Sequence, residues 1–530
     1  MYNSYLKRVL YIALILIMIS HAQAQNWIKY YPINSASGLM WGVESYDKGY
    51  YFAGMTTQAP YEIKLYKTDV NGNTLWTRTI EKSKNIVTLG GITPTNDGGI
   101  ALEGAIYRSD STNDDFLVKF NSCGDMEWSK IYDVNVWGIG GPIKELQNGN
   151  FVICADVTIN NWKNTKQNKD SIGNYYNSWL FETDNLGNLK WQKFANLYWH
   201  SLYVDRNENL LVSGYVYRPD LDNPDGNSFI RSSILKTSAS GYQKWQTVFG
   251  VKNNILTQGA STCQLSDNEY YTLMAKNLLI NQNVIDALYI TKYDSSGNNK
   301  WSMLVGDSTF ENNPLDIISM NDSTLLILSE DGPNILNDFY SADLHLFKIN
   351  KNGKIIKEFK YLNTGMPMSF YKLLRTRDNK YIVAGMYAEN SIIALKLDDN
   401  LDLDTFYSND TNKYDFLCGH NIVTNATINL STDTVYITIP FPSADTLYKP
   451  GSFLVYPNPS NGLVHVRCLA GNENVSLTIY DVIGRLIHTY TFVPGDTGHA
   501  DIDLGSVAPG CYIMELLQDG KRYVQKEIVE

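Results

Sequence analysis

The chain has 530 residues, 44% of them hydrophobic and 19% charged, with 11 Trp, 37 Tyr and 18 Phe. That aromatic content excludes a disordered chain, and the length accommodates about two to four domains with sizeable cores. Lys and Arg number 44 against 55 Asp and Glu, a net charge of −11 with no basic tract, which argues against nucleic-acid binding; six scattered cysteines exclude a disulfide scaffold.

The chain begins with an address. Lys7 and Arg8 precede an apolar run from Val9 to Ile19, and Ala22-Gln23-Ala24 follows. A short basic segment, an apolar core and an Ala-x-Ala site make a secretory signal peptide, residues 1–24, with cleavage expected after Ala24. A membrane anchor is the competing reading, but the run is short for a span. No later stretch approaches the roughly 18 apolar residues of a spanning helix, so the mature chain is expected to be soluble.

Residues 25–409 repeat. The segment Lys67-Thr-Asp69-Val-Asn-Gly72-Asn-Thr-Leu-Trp76 recurs around Gly124 and Trp128, Gly187 and Trp191, Gly241 and Trp245, and Gly297 and Trp301. A sixth copy, Lys348 to Lys357 around Gly353, lacks the Trp. A second polar tip alternates with the first, at Asp47, Asp97, Asn148, Asn207, Asp267, Asn321 and Asp378, which is seven copies. Apolar strands such as Tyr50-Tyr-Phe-Ala-Gly54 and Tyr381-Ile-Val-Ala-Gly385 follow these tips. Asp, Asn and Gly at the tips supply the positive φ angles of tight hairpins. Each unit of roughly 50–60 residues thus holds about four short strands, the content of a propeller blade. The expected fold is all-β, a seven-bladed β-propeller followed by a small antiparallel β-sandwich, with six or eight blades as alternatives. Asn26-Trp27-Ile28-Lys29-Tyr30 and Leu401 to Tyr407 each read as a lone strand, and one of them is expected to close the ring.

These repeats resemble the tryptophan-bearing repeats of quinoprotein-like extracellular propellers. The resemblance implies that Trp76, Trp128, Trp191, Trp245 and Trp301 lock each blade to the next by packing the indole. Sugar-stacking platforms are the functional alternative for these side chains.

Residues 410–452, rich in Thr, Asn and Asp, read as a linker with one or two strands; Thr434 to Ile439 alternates. Residues 453–530 carry an ordered set of motifs: Tyr456-Pro457-Asn458-Pro459, then Tyr480-Asp481-Val-Ile-Gly484-Arg485, then Pro509-Gly510-Cys-Tyr512. The prolines cannot sit in a central strand and mark an entry turn. Asp481 to Gly484 reads as a hairpin turn, Pro509-Gly510 as a turn before another strand, and about six or seven short strands as an antiparallel sandwich. The set closely resembles the type A C-terminal sorting domain of the type IX (Por) secretion system of Gram-negative bacteria. The resemblance implies recognition by an outer-membrane translocon, removal by a sortase-like protease, and a passenger that is released or attached to the cell surface.

Candidate chemistry is sparse. Asp69-Val-Asn71-Gly72-Asn73 echoes the start of a calcium loop, but Ile80 stands where the distal Glu belongs. No His-x-x-x-His or Cys-x-x-Cys pair is present, nor a Gly-x-Ser-x-Gly elbow. A quinone cofactor would be accompanied by adjacent cysteines, and none occur. No catalytic residue, metal or cofactor is therefore expected. Cys468 with Cys511, and Cys123 with Cys154, are candidate disulfides, with free buried thiols as the equal alternative. The longest insertions hold Trp162, Tyr175, Tyr176 and Tyr217, candidate ligand-face residues able to stack on a sugar or pack on a protein. The expected function is a secreted or cell-surface binding module for a protein or polysaccharide; the alternative is a secreted polysaccharide-acting hydrolase.

Overall fold

The computed structural model describes residues 26–529 except for short stretches, of which the longest are 160–174, 220–227, 333–342, 406–413 and 438–452. Two compact units result, one ending at Ile437 and one beginning at Thr438. The signal peptide and its cleavage site lie outside the described residues.

The first unit is a ring of seven four-stranded antiparallel sheets. The first strand of each sheet lies innermost: Trp41–Glu44, Ile86–Pro94, Ile143–Glu145, Tyr198–Val204, Thr257–Gln264, Glu311–Asn321 and Met368–Arg375. Each of these packs on the next, and the last packs on the first, which closes the ring around an axis. The long strand Met126–Ile139 ends the second blade and then runs on to pair with Phe151–Ile159 of the third.

The ring closes through the N-terminus. Ile28–Pro32 is the outermost strand of the seventh blade, with Ile28 opposite Leu395 and Pro32 opposite Ser391. Of the other candidate, Leu401 to Tyr407, the described residues form no strand; Leu403 makes an isolated bridge to Leu397. The apolar faces of neighbouring blades meet in successive clusters, such as Tyr51, Leu65 and Trp76 against Leu89, Leu102 and Phe116. Burial of these faces against neighbours is what holds a blade that could not stand alone.

The expected linker is divided by the structure. Asn425–Asn429 adds a parallel fifth strand to the outer edge of the first blade, along Thr74–Glu81. Thr434–Tyr436 does the same on the second blade, against Ile131 to Asp133. Outer strands present unpaired N–H and C=O groups, and this strap covers two of those edges. Cys123 is bonded to Cys418 in the strap, across 295 residues of sequence, and not to Cys154. Cys154, Cys468 and Cys511 are free, so neither expected pairing forms.

The second unit has two antiparallel sheets, one of Leu454–Tyr456, Leu463–Arg467 and His499–Asp503, the other of Val475–Asp481, Leu486–Phe492, Gly510–Gln518 and Lys521–Val529. They share a core of Val464, Val466, Leu477, Ile479, Met514 and Leu516.

Candidate functional site

At one end of the strands six of the seven blades are built alike. The turn between third and fourth strands is Asp/Asn/Ser-x-x-Gly-x, and its first side chain folds back on the backbone. Asp294 Oδ1 accepts the N–H groups of Ser296 and Asn298 at 3.0 and 2.9 Å. Asp184 makes the same bonds to Leu186 and Asn188. The fourth residue has φ near +80°, from +77° at Gly72 to +85° at Gly353, a conformation glycine adopts freely.

That glycine also lies under an aromatic ring of the preceding blade. A Cβ on Gly187 would stand 2.8 Å from Trp128, on Gly241 2.5 Å from Trp191, and on Gly297 2.6 Å from Trp245. On Gly353 it would meet the Met303 sulfur first, at 2.6 Å, with Trp301 at 3.4 Å. Gly72 carries the same relation to Trp27, at 2.6 Å, so the N-terminal strand reproduces the contact at ring closure. Trp76 differs. The buried Arg78 guanidinium lies 4.6 Å over its ring and occupies the place above Gly124, donating to the carbonyls of Gly124 and Cys123. The seventh junction has lost both partners together: Lys357 replaces the Trp, Leu401 replaces the Gly at φ +61°, and an exposed Lys357–Asp402 pair at 3.7 Å remains.

The lysine that opens the repeat meets the acid of the second tip. Lys67–Asp47 is 2.5 Å, Lys119–Asp97 2.8 Å, Lys236–Asp205 3.3 Å and Lys396–Asp378 2.9 Å. Burial lowers Lys67 to about 8 although Asp47 opposes the shift. In the third blade Glu182 takes the lysine's position and accepts from Asn150 and the Trp191 indole instead. Lys236 and Lys396 reach further, to the hydroxyls of Tyr270 and Tyr50 on the following blades.

The inner strands carry the features that sequence reasoning missed. In five blades the register slips by one residue, past Gly90, His200, Ala260, Leu315 and Tyr371. Beside the seventh blade's bulge, and just before the third blade's unbulged inner strand, backbone N–H groups are answered by an acid from a neighbouring blade. Gly141 N–H donates to Glu103 Oε2 at 2.6 Å, Phe370 N–H to Glu330 Oε1 at 2.7 Å, and Leu373 N–H to Asp316 Oδ2 at 3.0 Å. Asp316 also accepts the Ser261 hydroxyl at 2.7 Å and lies 3.2 Å from Lys372 Nζ, tying the fifth, sixth and seventh blades together.

Burial governs the charge of these acids. It raises Glu330 to about 7 against the hydrogen bonds from Phe370 and Ser369. It raises Glu103 well above the carboxylate range, helped by Asp115, and raises Asp115 likewise, helped by Asp114. The signal was present in the sequence. Glu103 and Glu330 interrupt apolar runs, and Gly90-Gly91 and Gly140-Gly141 recur at matching places. A Cβ on Gly90 would stand 2.0 Å from the Glu103 carboxylate. Among the described residues no group of three His, Cys, Asp or Glu side chains is arranged to hold a metal ion.

Of the candidate ligand-face residues, Trp162 lies outside the described residues. Tyr175 and Tyr176 open the strand Tyr175–Thr183, and Tyr217 lies near the end of Leu210–Pro219. Their backbones thus stand at the same end of neighbouring blades, away from the uniform turns; their side chains lie outside the described residues. Of the sorting motifs, Tyr456 ends a strand and Pro457, Asn458 and Pro459 lie outside the described residues. Tyr480 and Asp481 end Val475–Asp481, and Arg485 Nε donates to Asp481 Oδ2 at 3.0 Å across Gly484 at φ +82°. Pro509 precedes the strand that Gly510 opens, and the Tyr512 hydroxyl donates to the Ala508 carbonyl.

Residues 454–530 match the secretion system C-terminal sorting domain. That domain implies interaction with the type IX secretion machinery, and secretion across the outer membrane or attachment to the cell surface. No curated protein matches the chain. Among solved structures, an unknown-function protein from Dyadobacter fermentans is similar at 10% identity and TM-score 0.41, over 59% of this chain and 94% of that one. Trypanosoma rangeli sialidase is similar at 9% identity and TM-score 0.34, over 86% of this chain and 86% of that one. The WD40 domain of SCAP from fission yeast is similar at 8% identity and TM-score 0.31, over 69% of this chain and 98% of that one.

Proposed function

We propose that this chain is an exported binding module whose propeller engages a protein or polysaccharide at the cell surface. The observation that carries the reading is the contrast between the two ends of the blades. The turns at one end keep one length and satisfy their own backbone. At the other end, the segments between second and third strands vary from 281–282 to 160–174. Constant, self-satisfied turns suit a scaffold, and variable connections on a rigid scaffold suit recognition. Trp162, Tyr175, Tyr176 and Tyr217 belong to that variable end. Trp128, Trp191, Trp245 and Trp301, each packed over the next blade's glycine, act as locks between blades in this reading; Trp76 does so through Arg78. The tail is an address, cut off by a sortase-like protease after export.

The test is a screen of the mature full-length chain against polysaccharides and glycans, with reducing-sugar release followed in the same wells. Saturable binding without release supports the reading. Release of sugar overturns it in favour of a hydrolase. Silence in both channels removes the polysaccharide half and leaves a protein partner, sought by crosslinking on intact cells.

A further inference from the structure

The junction between the sixth and seventh blades is open where others are shut. At four other junctions the residue four places after the repeat Trp is buried: Ile80, Tyr132, Phe249 and Val305. Tyr361 holds that place in the sixth blade, four after Lys357, and is only half-buried. It stands opposite Leu344 and turns, with Phe359, towards the seventh blade. From that blade the outermost strand presents Tyr30, opposite Ile393 of the same shared core and 47% exposed. The Tyr30 and Tyr361 hydroxyls share a hydrogen bond, and the Tyr30 ring lies 5.0 Å from that of Tyr387. Three tyrosines from three strands thus meet at the variable end of these blades, where Tyr361 and Tyr387 each end a strand. The charges of the two outer strands point elsewhere. Alternation turns Glu358 and Lys360 to the opposite face, beside His345, and Lys29 towards Asn73 of the first blade, 3.2 Å away. Lys357, nearer the uniform turn, is paired with Asp402.

We propose that this tyrosine slot binds one ring of a neutral saccharide. Tyrosine offers a flat apolar face and a hydroxyl at its edge. A pyranose offers the complement, C–H groups on its face and hydroxyls around its rim. A surface with hydroxyls and no free charge suits a neutral sugar over an anionic one or a charged peptide. One ring in a half-open slot binds weakly, with a dissociation constant of about a millimolar, too weak to retain a polymer in a screen by itself. The inference rests on the variable ends being the binding side, but its site shares no residue with the insertions of the third and fourth blades.

The test is calorimetric titration of the mature full-length chain with cellohexaose, maltohexaose, mannohexaose and hexagalacturonate. Saturable binding of at least one neutral hexasaccharide, and none of hexagalacturonate, is expected. Tyr30→Ala and Tyr387→Ala should each weaken it about fivefold, the loss of one ring. Tyr30→Phe keeps the ring and should bind more tightly than Tyr30→Ala. Tyr46→Ala removes an exposed ring at the opposite end of the blades and should change nothing. Thermal melts check that each variant folds. Replacing 160–174 and 220–227 should leave hexasaccharide binding intact, so failure here and failure at the insertions are read apart. Silence toward all three neutral sugars, equal binding of hexagalacturonate, or binding unchanged in both alanine variants would each overturn the proposal. A protein captured on intact cells by a photocrosslinking side chain at Leu362, with the neutral sugars silent, would name the other occupant and overturn it too.

Discussion

One kind of turn serves two different ends in this molecule. Asp294-Ser-Ser-Gly297-Asn in the propeller and Asp481-Val-Ile-Gly484-Arg in the tail share their backbone chemistry. Each Asp accepts the N–H groups two and four residues on, and each Gly has φ +82°. Their surroundings differ. A Cβ on Gly297 would press into Trp245, whereas one on Gly484 would meet nothing within 4 Å. The residues between are Ser295 and Ser296 in the first, and Val482 and Ile483, 65% and 83% exposed, in the second. Local sequence sets the turn; the neighbouring blade decides whether it becomes a buried junction or a tip in solvent. Apolar side chains held out at such a tip serve no need of the turn, and suit recognition by another surface.

The contrast can be broken by substitution. The largest expected effect is at the strap. Replacing Cys123 and Cys418 by Ser frees a loop of 295 residues, and should cost the propeller about 4 kcal/mol while leaving the tail unchanged. Hydrogen exchange under denaturant, read separately for the two units, would show it; equal loss in both would contradict the division at Ile437.

The paired glycines come next. Gly297→Ala should cost about 3 kcal/mol, from backbone strain plus the collision with Trp245, and Gly484→Ala only about 1 kcal/mol, from strain alone. Similar costs in urea titrations would mean that the indole contact contributes nothing.

Glu330 sharpens the comparison through pH. Its folded pKa, about 7, lies above the unfolded value near 4.5. The folded state therefore holds the proton longer, and propeller stability falls as pH rises from about 4.5 through 7. Glu330→Gln keeps an acceptor for Phe370 and Ser369 and removes the charge. It should stabilise the propeller by about 3 kcal/mol at pH 8 and leave it unchanged near pH 4. Thermal melts at both pH values decide; an effect independent of pH would contradict the assignment. The smallest effect on stability is at the tail's tip, where Ile483→Ser should change unfolding by less than about 0.5 kcal/mol yet reduce export, measured as the ratio of medium plus surface to periplasm. Full export would remove the recognition role.

Much of the fold was legible because the repeat is local. Seven tips became seven blades, and the Asp-x-x-Gly turns lie where their residues demand. Ring closure was not legible, since Ile28 meets Leu395 across the whole propeller and nothing nearby distinguishes Trp27 from Leu403 as the closing strand. The strap read as a linker because its composition is polar, but polar strands suffice to cover an outer edge. Cys418 gave no sign of its partner, which spacing cannot reveal. The acids that answer backbone N–H groups near the inner strands were visible as charges inside apolar runs, but their partners belong to other blades.

The central claim is that the variable ends of the blades bind while the uniform turns hold the ring. The direct measurement is ligand binding by a full-length variant in which 160–174 and 220–227 are each replaced by a short Gly-Ser connection, assayed with the ligand retained in the screen. The account predicts loss of binding with an unchanged unfolding transition. Binding at full strength in that variant, or its loss only when the uniform turns are altered, would contradict it.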